Sequence, residues 1–492
     1  MQKSVGVIGA GFAGMTAAAL LAKYGYQVTL FEKNSGPGGR ASLIEEAGFK
    51  FDKGPSFYWM PEIFERFFNQ FNQSASDYYK LVRLDPSYGV FWKDHEPVSM
   101  PADINGIKDL FESFEKGAGA QLTRFLAEAR IKYETGMGEF VYLPSIGFKE
   151  YLNVRLISRA WSLDIFKSVS SHIASYFKNP YLRQLLEFPV LFLGAKPSKT
   201  PALYSLMNYA DLMLGTWYPL GGMYEVSKAI HQVGVSQGVR FLFNQSVQSI
   251  ANGKQNKSVI KTNGENQYEF DYIVSGADYE YTESRLLATP DQSYSSNYWD
   301  NRTMAPSVLM YFLGFDRKLT GLLHHNLFFD AAFDQHAADI YDRPAWPEQP
   351  LFYTNSSSLT DPACAPTGCH NLVALIPVSV DLKDTDEIRE RYLQLILDRI
   401  SRQTGQEVRS HLIYQKSYAN SDLKNDYHAF KGNAYGLANT LFQTGPLRPS
   451  IRSRKLKNLF YCGQLTVPGP GLPPALISGE IVANYIHQLN TK

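Results

Sequence analysis

The sequence predicts an α/β fold: a Rossmann-like dinucleotide-binding domain, a second domain with a mixed sheet, and a helical insertion. Three observations predict it. An apolar N-terminal run ends in Gly9-Ala10-Gly11-Phe12-Ala13-Gly14, a second apolar run ends eighteen residues past Gly14 at Glu32, and the C-terminal region repeats the order strand, Gly/Pro loop, helix.

Residues 4–8, with Val-Gly-Val-Ile, suit a buried parallel strand, and residues 15–23, rich in Ala and Leu, suit the helix that opens after it. Between them, Gly9 makes the turn, Gly11 lets the backbone approach a pyrophosphate, and Gly14 lets helix and strand pack closely. Phe12 and Ala13 open the helix, whose free N–H groups and partial positive charge face an anion. A strand over residues 27–31 delivers Glu32 as an acceptor for ribose hydroxyls, where a carboxylate also repels the 2′-phosphate of NADP.

Lys33 begins a turn-rich segment that closes on Gly38-Gly39-Arg40. A guanidinium held beside a glycine pair adds a planar, charge-assisted contact to the same pyrophosphate, although the segment also reads as an ordinary surface loop. Near the C-terminus, a short strand over residues 458–462 reaches Gly463. A loop from Pro468 to Pro474 then feeds a helix expected from Ala475. Ala475, Ser478 and Gly479 strip one helix face of bulk, either for a flat ligand or for a neighbouring helix.

No repeat and no low-complexity tract is present, so organisation follows element order. Residues 1–73 form the first part of the nucleotide domain. Residues 74–217 read as a helical insertion rich in aromatic side chains. Residues 218–300 return to the nucleotide domain, with a helix from Met223, a strand at 240–243, turns at Asn252-Gly253 and Asn263-Gly264, and a strand through 273–277. Residues 301–440 hold strands of a separate sheet, at 308–312 and 372–376, expected to line a substrate cavity. Residues 441–492 complete the nucleotide domain.

At 492 residues the chain exceeds one simple core. Its 48 basic and 47 acidic residues balance without a long basic run, which argues against a nucleic-acid partner. No leader pattern precedes the first strand, so a cytoplasmic protein is expected. Cys364, Cys369 and Cys462 make no disulfide framework. Cys364 and Cys369 with His370 lack a second ligand pair and read as a turn before a strand, not as a metal site.

These motifs, with Phe51-Asp52-Lys53-Gly54-Pro55-Ser56, Pro219-Leu220-Gly221-Gly222 and the stretch from Gly463 to Gly479, resemble the bacterial-type carotenoid (phytoene) desaturases of the FAD-dependent amine-oxidase-like superfamily. The resemblance runs from the first strand to the last helix. It implies FAD as cofactor, with Gly9, Gly11, Gly14, Glu32 and Arg40 on the ADP part. Lys33 and Gly39 belong to the same segment, and Val247 would border the adenine. Gly54, Pro55, Ser56, Gly471, Leu472 and Pro473 would lie near the isoalloxazine ring. Gln464 stands where many relatives of the superfamily carry an acid after the glycine of the last strand; an amide still donates and accepts, so FAD remains the implied cofactor, with the group that Gln464 contacts left open.

The resemblance also implies a lipid-soluble carotenoid substrate, phytoene first. A hydroxylated carotenoid desaturated at the 3,4 bond and a dehydrosqualene-type substrate compete. Other readings are a carotenoid isomerase or saturase, a flavin amine oxidase, and a non-enzymatic escort of prenylated proteins, against which the Gly471-Leu472-Pro473 loop argues. Oxidised FAD accepts a hydride from an allylic carbon, and loss of a neighbouring proton completes the double bond. Glu150, in a Phe-Lys-Glu-Tyr context, resembles an acidic position of related desaturases and is the candidate proton acceptor, against its reading as a solvated helix residue. Quinone or oxygen would reoxidise the flavin.

Such a substrate needs a dry apolar channel, for which Phe57-Tyr58-Trp59-Met60-Pro61 is a candidate wall. It also needs access to lipid. No window is long and apolar enough to span a bilayer, but residues 145–195 mix apolar residues with Lys149, Arg155, Arg159, Lys167, Lys178 and Arg183. Amphipathic basic helices of this kind lie in the headgroup layer, so a peripheral position on the inner face of the cell membrane is expected.

Overall fold

The computed structural model describes residues 2–151, 164, 166–191, 194–255 and 257–491. Two sheets organise the molecule. The first is parallel, in the order Leu459–Tyr461, Tyr272–Ser275, Ser4–Ile8, Gln27–Phe31, Arg240–Leu242. Its central strand is buried from Val5 to Ile8, as a strand covered on both faces must be. The helix Phe12–Lys23 crosses from the first strand to the second and packs against the C-terminal helix Leu472–Thr491.

The second sheet has seven strands in the order Leu412–Tyr418, Ser307–Phe315, His370–Val378, Phe352–Asn355, His325–Phe328, Tyr88–Phe91, Val98–Met100. All its pairs are antiparallel except His325–Phe328 with Tyr88–Phe91, so the sheet is mixed. Ser307–Phe315 is buried at every position, which fits its near-continuous apolar run. A three-stranded antiparallel sheet, Val247–Asn252, Ser258–Thr262 and Gln267–Phe270, turns at the two Asn-Gly pairs read from the sequence.

Two expectations need correction. Residues 74–217 were expected to be a predominantly helical insertion apart from the sheets, yet Tyr88–Phe91 and Val98–Met100 extend the seven-stranded sheet. Runs of three or four residues are too short to show a period, and Tyr88–Phe91 becomes a strand through its parallel partner. The last helix begins at Leu472, not Ala475, because Pro473 and Pro474 occupy its first turn, where a missing N–H breaks no helical bond.

Within the basic stretch, the helices Val169–Ala174 and Pro180–Leu191 turn Val169, Ile173, Leu182, Leu185 and Leu186 into the core. Arg155 and Arg159 lie outside the described residues. Among the described residues no helix is long and apolar enough to cross a membrane.

Candidate cofactor and substrate cavity

Gly9, Gly11, Phe12, Ala13, Glu32, Lys33, Gly39, Arg40, Gly54, Pro55, Ser56, Val247, Gly463, Gln464, Gly471, Leu472 and Pro473 line one cavity of about 390 Å³. The strand ends and the glycine-rich turn bring them together. Gly11 caps the helix Phe12–Lys23 with no side-chain acceptor, leaving the first-turn N–H groups to an anion. A Cβ at Gly11 or Gly463 would meet no atom within 4 Å, so both present bare backbone. Gly14 lies behind the turn. A Cβ there would sit 2.1 Å from the Gly9 carbonyl oxygen, so the third glycine serves close packing.

Glu32 is oriented by two backbone donors, Ala10 N at 2.7 Å to one oxygen and Asn34 N at 2.8 Å to the other. Each oxygen keeps acceptor capacity for a ribose hydroxyl. Lys33 donates to the Asn425 carbonyl at 2.8 Å, and partial burial pulls its ammonium pKa down. Arg40 lies over the Tyr427 ring, 5.1 Å from its centroid. Burial lowers its pKa, and the nearby Asp278 carboxylate opposes that shift. In the amide orientation that satisfies both ends, Gln464 accepts from Arg40 Nη2 at 3.1 Å and donates to the Ala434 carbonyl at 3.2 Å. Gln464 thus orients the arginine.

Two buried polar atoms on this wall, Arg40 Nε and Gln245 Oε1, have no partner among the described residues. An orphaned donor beside the bare Gly11 backbone suits a pyrophosphate, and an orphaned acceptor two residues from Val247 suits an adenine amine. With Glu32 free to accept from a ribose, the residues present fit FAD.

Sequence reading missed Gln245, Asp278, Asp426 and Tyr427, which also line the cavity. Asp278 accepts from Phe430 N at 3.1 Å and Tyr281 N at 3.2 Å, and burial raises its pKa. Its signal was available, since it follows Gly276 at the end of a predicted strand. Asp426, ion-paired with Lys53, and Tyr427, which donates to the Gly39 carbonyl at 3.1 Å, come from the distant helix Asn420–Tyr427 and gave none.

Glu150, the expected proton acceptor, does not line this cavity. Its carboxylate accepts from the backbone N–H groups of Ser145 and Ile146 at 2.8 Å and of Gly147 at 3.3 Å, so it closes a local turn. The expected aromatic wall is divided between the cavity and the core. Phe57, Trp59 and Met60 line the cavity, whereas Tyr58 turns into the core, stacking on Phe64 and hydrogen-bonding Tyr79 at 2.8 Å. Pro61 starts the helix Pro61–Asn69. The small-residue face of the last helix meets both the cavity and the first helix. Ala475 lines the cavity, Ser478 Oγ accepts from Gly463 N at 2.9 Å, and Gly479 abuts the first helix, where a Cβ would lie 2.4 Å from the Ala13 carbonyl oxygen.

Beyond the nucleotide end the lining becomes apolar, with Pro189, Met207, Val308, Met310 and Leu375. Tyr353, Leu375 and Tyr435 also border a smaller cavity of about 40 Å³, otherwise walled by Phe188, Leu327, Phe329, Leu351, Phe352 and Pro377. Elsewhere, Glu128, Asp164 and His172 converge around the buried ammonium of Lys132, 3.3 Å from Asp164 and 3.2 Å from His172. The lysine supplies the positive charge of that cluster.

Residues 12–487 match the family described as flavin containing amine oxidoreductase. The chain is 39% identical over 485 residues to a carotenoid 3,4-desaturase of Haloarcula japonica, covering 98% of each chain. It is 30% identical over 486 residues to a zeta-carotene-forming phytoene desaturase of Myxococcus xanthus, covering 98% of this chain and 93% of that one. Among solved structures, an oxidoreductase from Methanosarcina mazei shares the fold with a TM-score of 0.65 at 16% identity, covering 98% and 100% of the two chains. A putrescine oxidase does so with a TM-score of 0.64 at 14% identity, covering 99% of each.

Proposed function

The chain belongs to the flavin-containing amine oxidoreductases, among their carotenoid desaturases, and from that premise we propose that it desaturates a long, lipid-soluble carotenoid at a bound FAD. The observation that carries this reading is the change of character along one cavity. Charged and backbone groups gather around Gly11, Glu32 and Arg40, and Trp59, Met60, Met207, Met310 and Leu375 make a hydrocarbon wall. A polyene offers no charge to grip, so shape and dry apolar contact must hold it.

FAD, when bound, supplies a two-electron hydride acceptor. The protein's part is to hold the groups and exclude water. The first-turn N–H groups and Arg40 would neutralise the pyrophosphate, Glu32 would fix the ribose, and Gln245 with Val247 would meet the adenine. The loop Gly54-Pro55-Ser56 and the start of the last helix would border the ring. The apolar wall aligns the reacting bond and keeps water from the cation that develops on the polyene.

Within this class, the 39% likeness to a carotenoid 3,4-desaturase favours the 3,4 bond of a carotenoid, hydroxylated or not. Phytoene is the second reading, favoured by the 30% likeness to a phytoene desaturase. Purified protein, reconstituted with FAD and liposomes, is given phytoene in one series and a hydroxylated carotenoid in the other, each with oxygen and with an added quinone. New long-wavelength polyene bands that require FAD identify the substrate. Bound FAD with neither pigment changed, and turnover of an amine, would overturn the reading.

A substrate dissolved in lipid also calls for contact with a membrane surface, here taken as the inner face of the cell membrane. Leu441, Phe442 and Leu447 are exposed, with Phe442 77% accessible. Their segment meets Tyr204, three residues from the cavity-lining Met207, through a 3.4 Å contact between Tyr204 and Thr444. This arrangement supports a lipid-facing foot near the apolar end of the cavity.

A further inference from the structure

We propose that Ser56, Tyr353 and His325 form a directional proton-accepting chain that takes up the second hydrogen lost in desaturation, with Tyr353 as the group that meets the substrate. Ser56 and Tyr353 both line the cavity, and their hydroxyl oxygens are 2.7 Å apart. Tyr353 Oη lies 2.6 Å from His325 Nδ1, inside the sheet. The proposal rests on the desaturase reading but not on which carotenoid is used.

The direction follows from the third partner. In the amide orientation assigned to Asn355, its Nδ2, which can only donate, lies 3.3 Å from the same Nδ1. Nδ1 is therefore the acceptor, and the ring proton sits on Nε2. Tyr353 must then donate to His325, and its oxygen is left to accept from Ser56. Protons run from Ser56 through Tyr353 to the imidazole.

His325 is fully buried, and its Nε2 has no hydrogen-bond partner among the described residues, a state it shares with His324 Nε2 and His370 Nδ1. Its ring stacks on the cavity-lining Phe57 at 4.1 Å and contacts His324 at 4.5 Å. Burial, with His324 beside it, pulls the imidazole pKa down, so the ring rests neutral and only an acid as strong as a carbocation on the polyene protonates it through Tyr353.

The acids along the cavity are otherwise engaged: Glu32 with Ala10 and Asn34, Asp278 with Phe430 and Tyr281, Asp426 with Lys53. Glu32 and Asp278 follow strands of the parallel sheet, and Asp426 sits on the helix Asn420–Tyr427. Tyr353 alone of the groups bordering both cavities is hydrogen-bonded to a base.

The balance closes. One carbon of the substrate gives up a hydride, and the adjacent carbon gives up a proton while the electron pair of that C–H bond becomes the new π bond. Tyr353 oxygen takes the proton as its own passes to His325 Nδ1, leaving a neutral phenol and an imidazolium. The imidazolium discharges when the terminal acceptor, quinone or oxygen, takes up two electrons and two protons.

The first test needs no turnover. In holoprotein labelled with 15N-histidine, without substrate, the resonances lost in His325→Gln should show an unprotonated Nδ1 and a protonated Nε2, and Tyr353→Phe should shift that Nδ1. The opposite tautomer overturns the chain. The second test is anaerobic single turnover read by the pigment formed. Tyr353→Phe should bind FAD at the wild-type ratio, form the new polyene band at least about a hundred-fold more slowly and lose the wild-type solvent deuterium effect. Wild-type product formation by FAD-loaded Tyr353→Phe overturns the proposal. A wild-type protein that turns over no carotenoid, with the expected tautomer present, sinks the desaturase reading instead.

Discussion

Glu32 and Ala10 are joined by a 2.7 Å hydrogen bond from the Ala10 N–H to the Glu32 carboxylate. The acid ending the second strand and the turn leaving the first are thereby one unit, and its second oxygen is held by Asn34 N. Glu32→Gln keeps the shape but can accept through only one atom. It should weaken FAD binding about ten-fold, near 1–2 kcal/mol, as read by flavin fluorescence titration of apoprotein.

Gly11 and Gly14 belong to one motif but should fail differently. Gly11 has φ −78°, which alanine adopts freely, and its added Cβ would enter open cavity. Gly11→Ala should therefore melt within a degree or two of wild type while binding FAD at least about ten-fold more weakly. Gly14→Ala drives a Cβ into the Gly9 carbonyl and should cost about 1–3 kcal/mol of stability before any ligand is added. Melting curves of the apoproteins, paired with FAD titrations, separate the two.

Asp52 is buried behind the cavity loop at the start of the helix Met223–Ser236. The Met223 and Tyr224 N–H groups stabilise its charge, but burial outweighs them and lifts its pKa to about 7, with one oxygen unpartnered among the described residues. An unfolded aspartate titrates near 3.8. The folded protein thus keeps a proton that the unfolded chain releases between about pH 4 and 7. This contribution to stability is full below about pH 4 and is lost as pH rises through 7, at most about 4 kcal/mol. Asp52→Asn should reduce the difference in urea midpoint between pH 5 and pH 8. Asp211, raised to about 7 by its own burial, should leave a residual slope.

Phe442 gives the membrane proposal its test. Phe442→Ser should lower the fraction of protein floating with anionic liposomes by roughly ten-fold, given about 1.5–3 kcal/mol at most for a buried apolar side chain. FAD content should not change. An unaltered bound fraction would remove this segment from any lipid contact.

Part of this molecule was legible because its signals are local. The first strand, Gly9 to Gly14, the helix and Glu32 occupy one continuous segment, and strand alternation together with turn chemistry acts over a few residues. Tyr88–Phe91 was not legible, because a four-residue run becomes a strand only through pairing with His325–Phe328. Glu150 shows the converse. Its local context suggested chemistry, and the folded chain spends its carboxylate on a turn.

The sequence by itself determined the nucleotide-binding half, its glycine turn, the acid Glu32 at the end of the second strand and the apolar strands of the second sheet, since backbone geometry and side-chain period fix these locally. Only the tertiary structure decided that Ser56 meets Tyr353 across 297 residues, that Gln464 faces Arg40, and that Asp426 and Tyr427 border the cavity. Those contacts come from how two sheets and a distant helix pack, and nothing in the neighbouring residues encodes them.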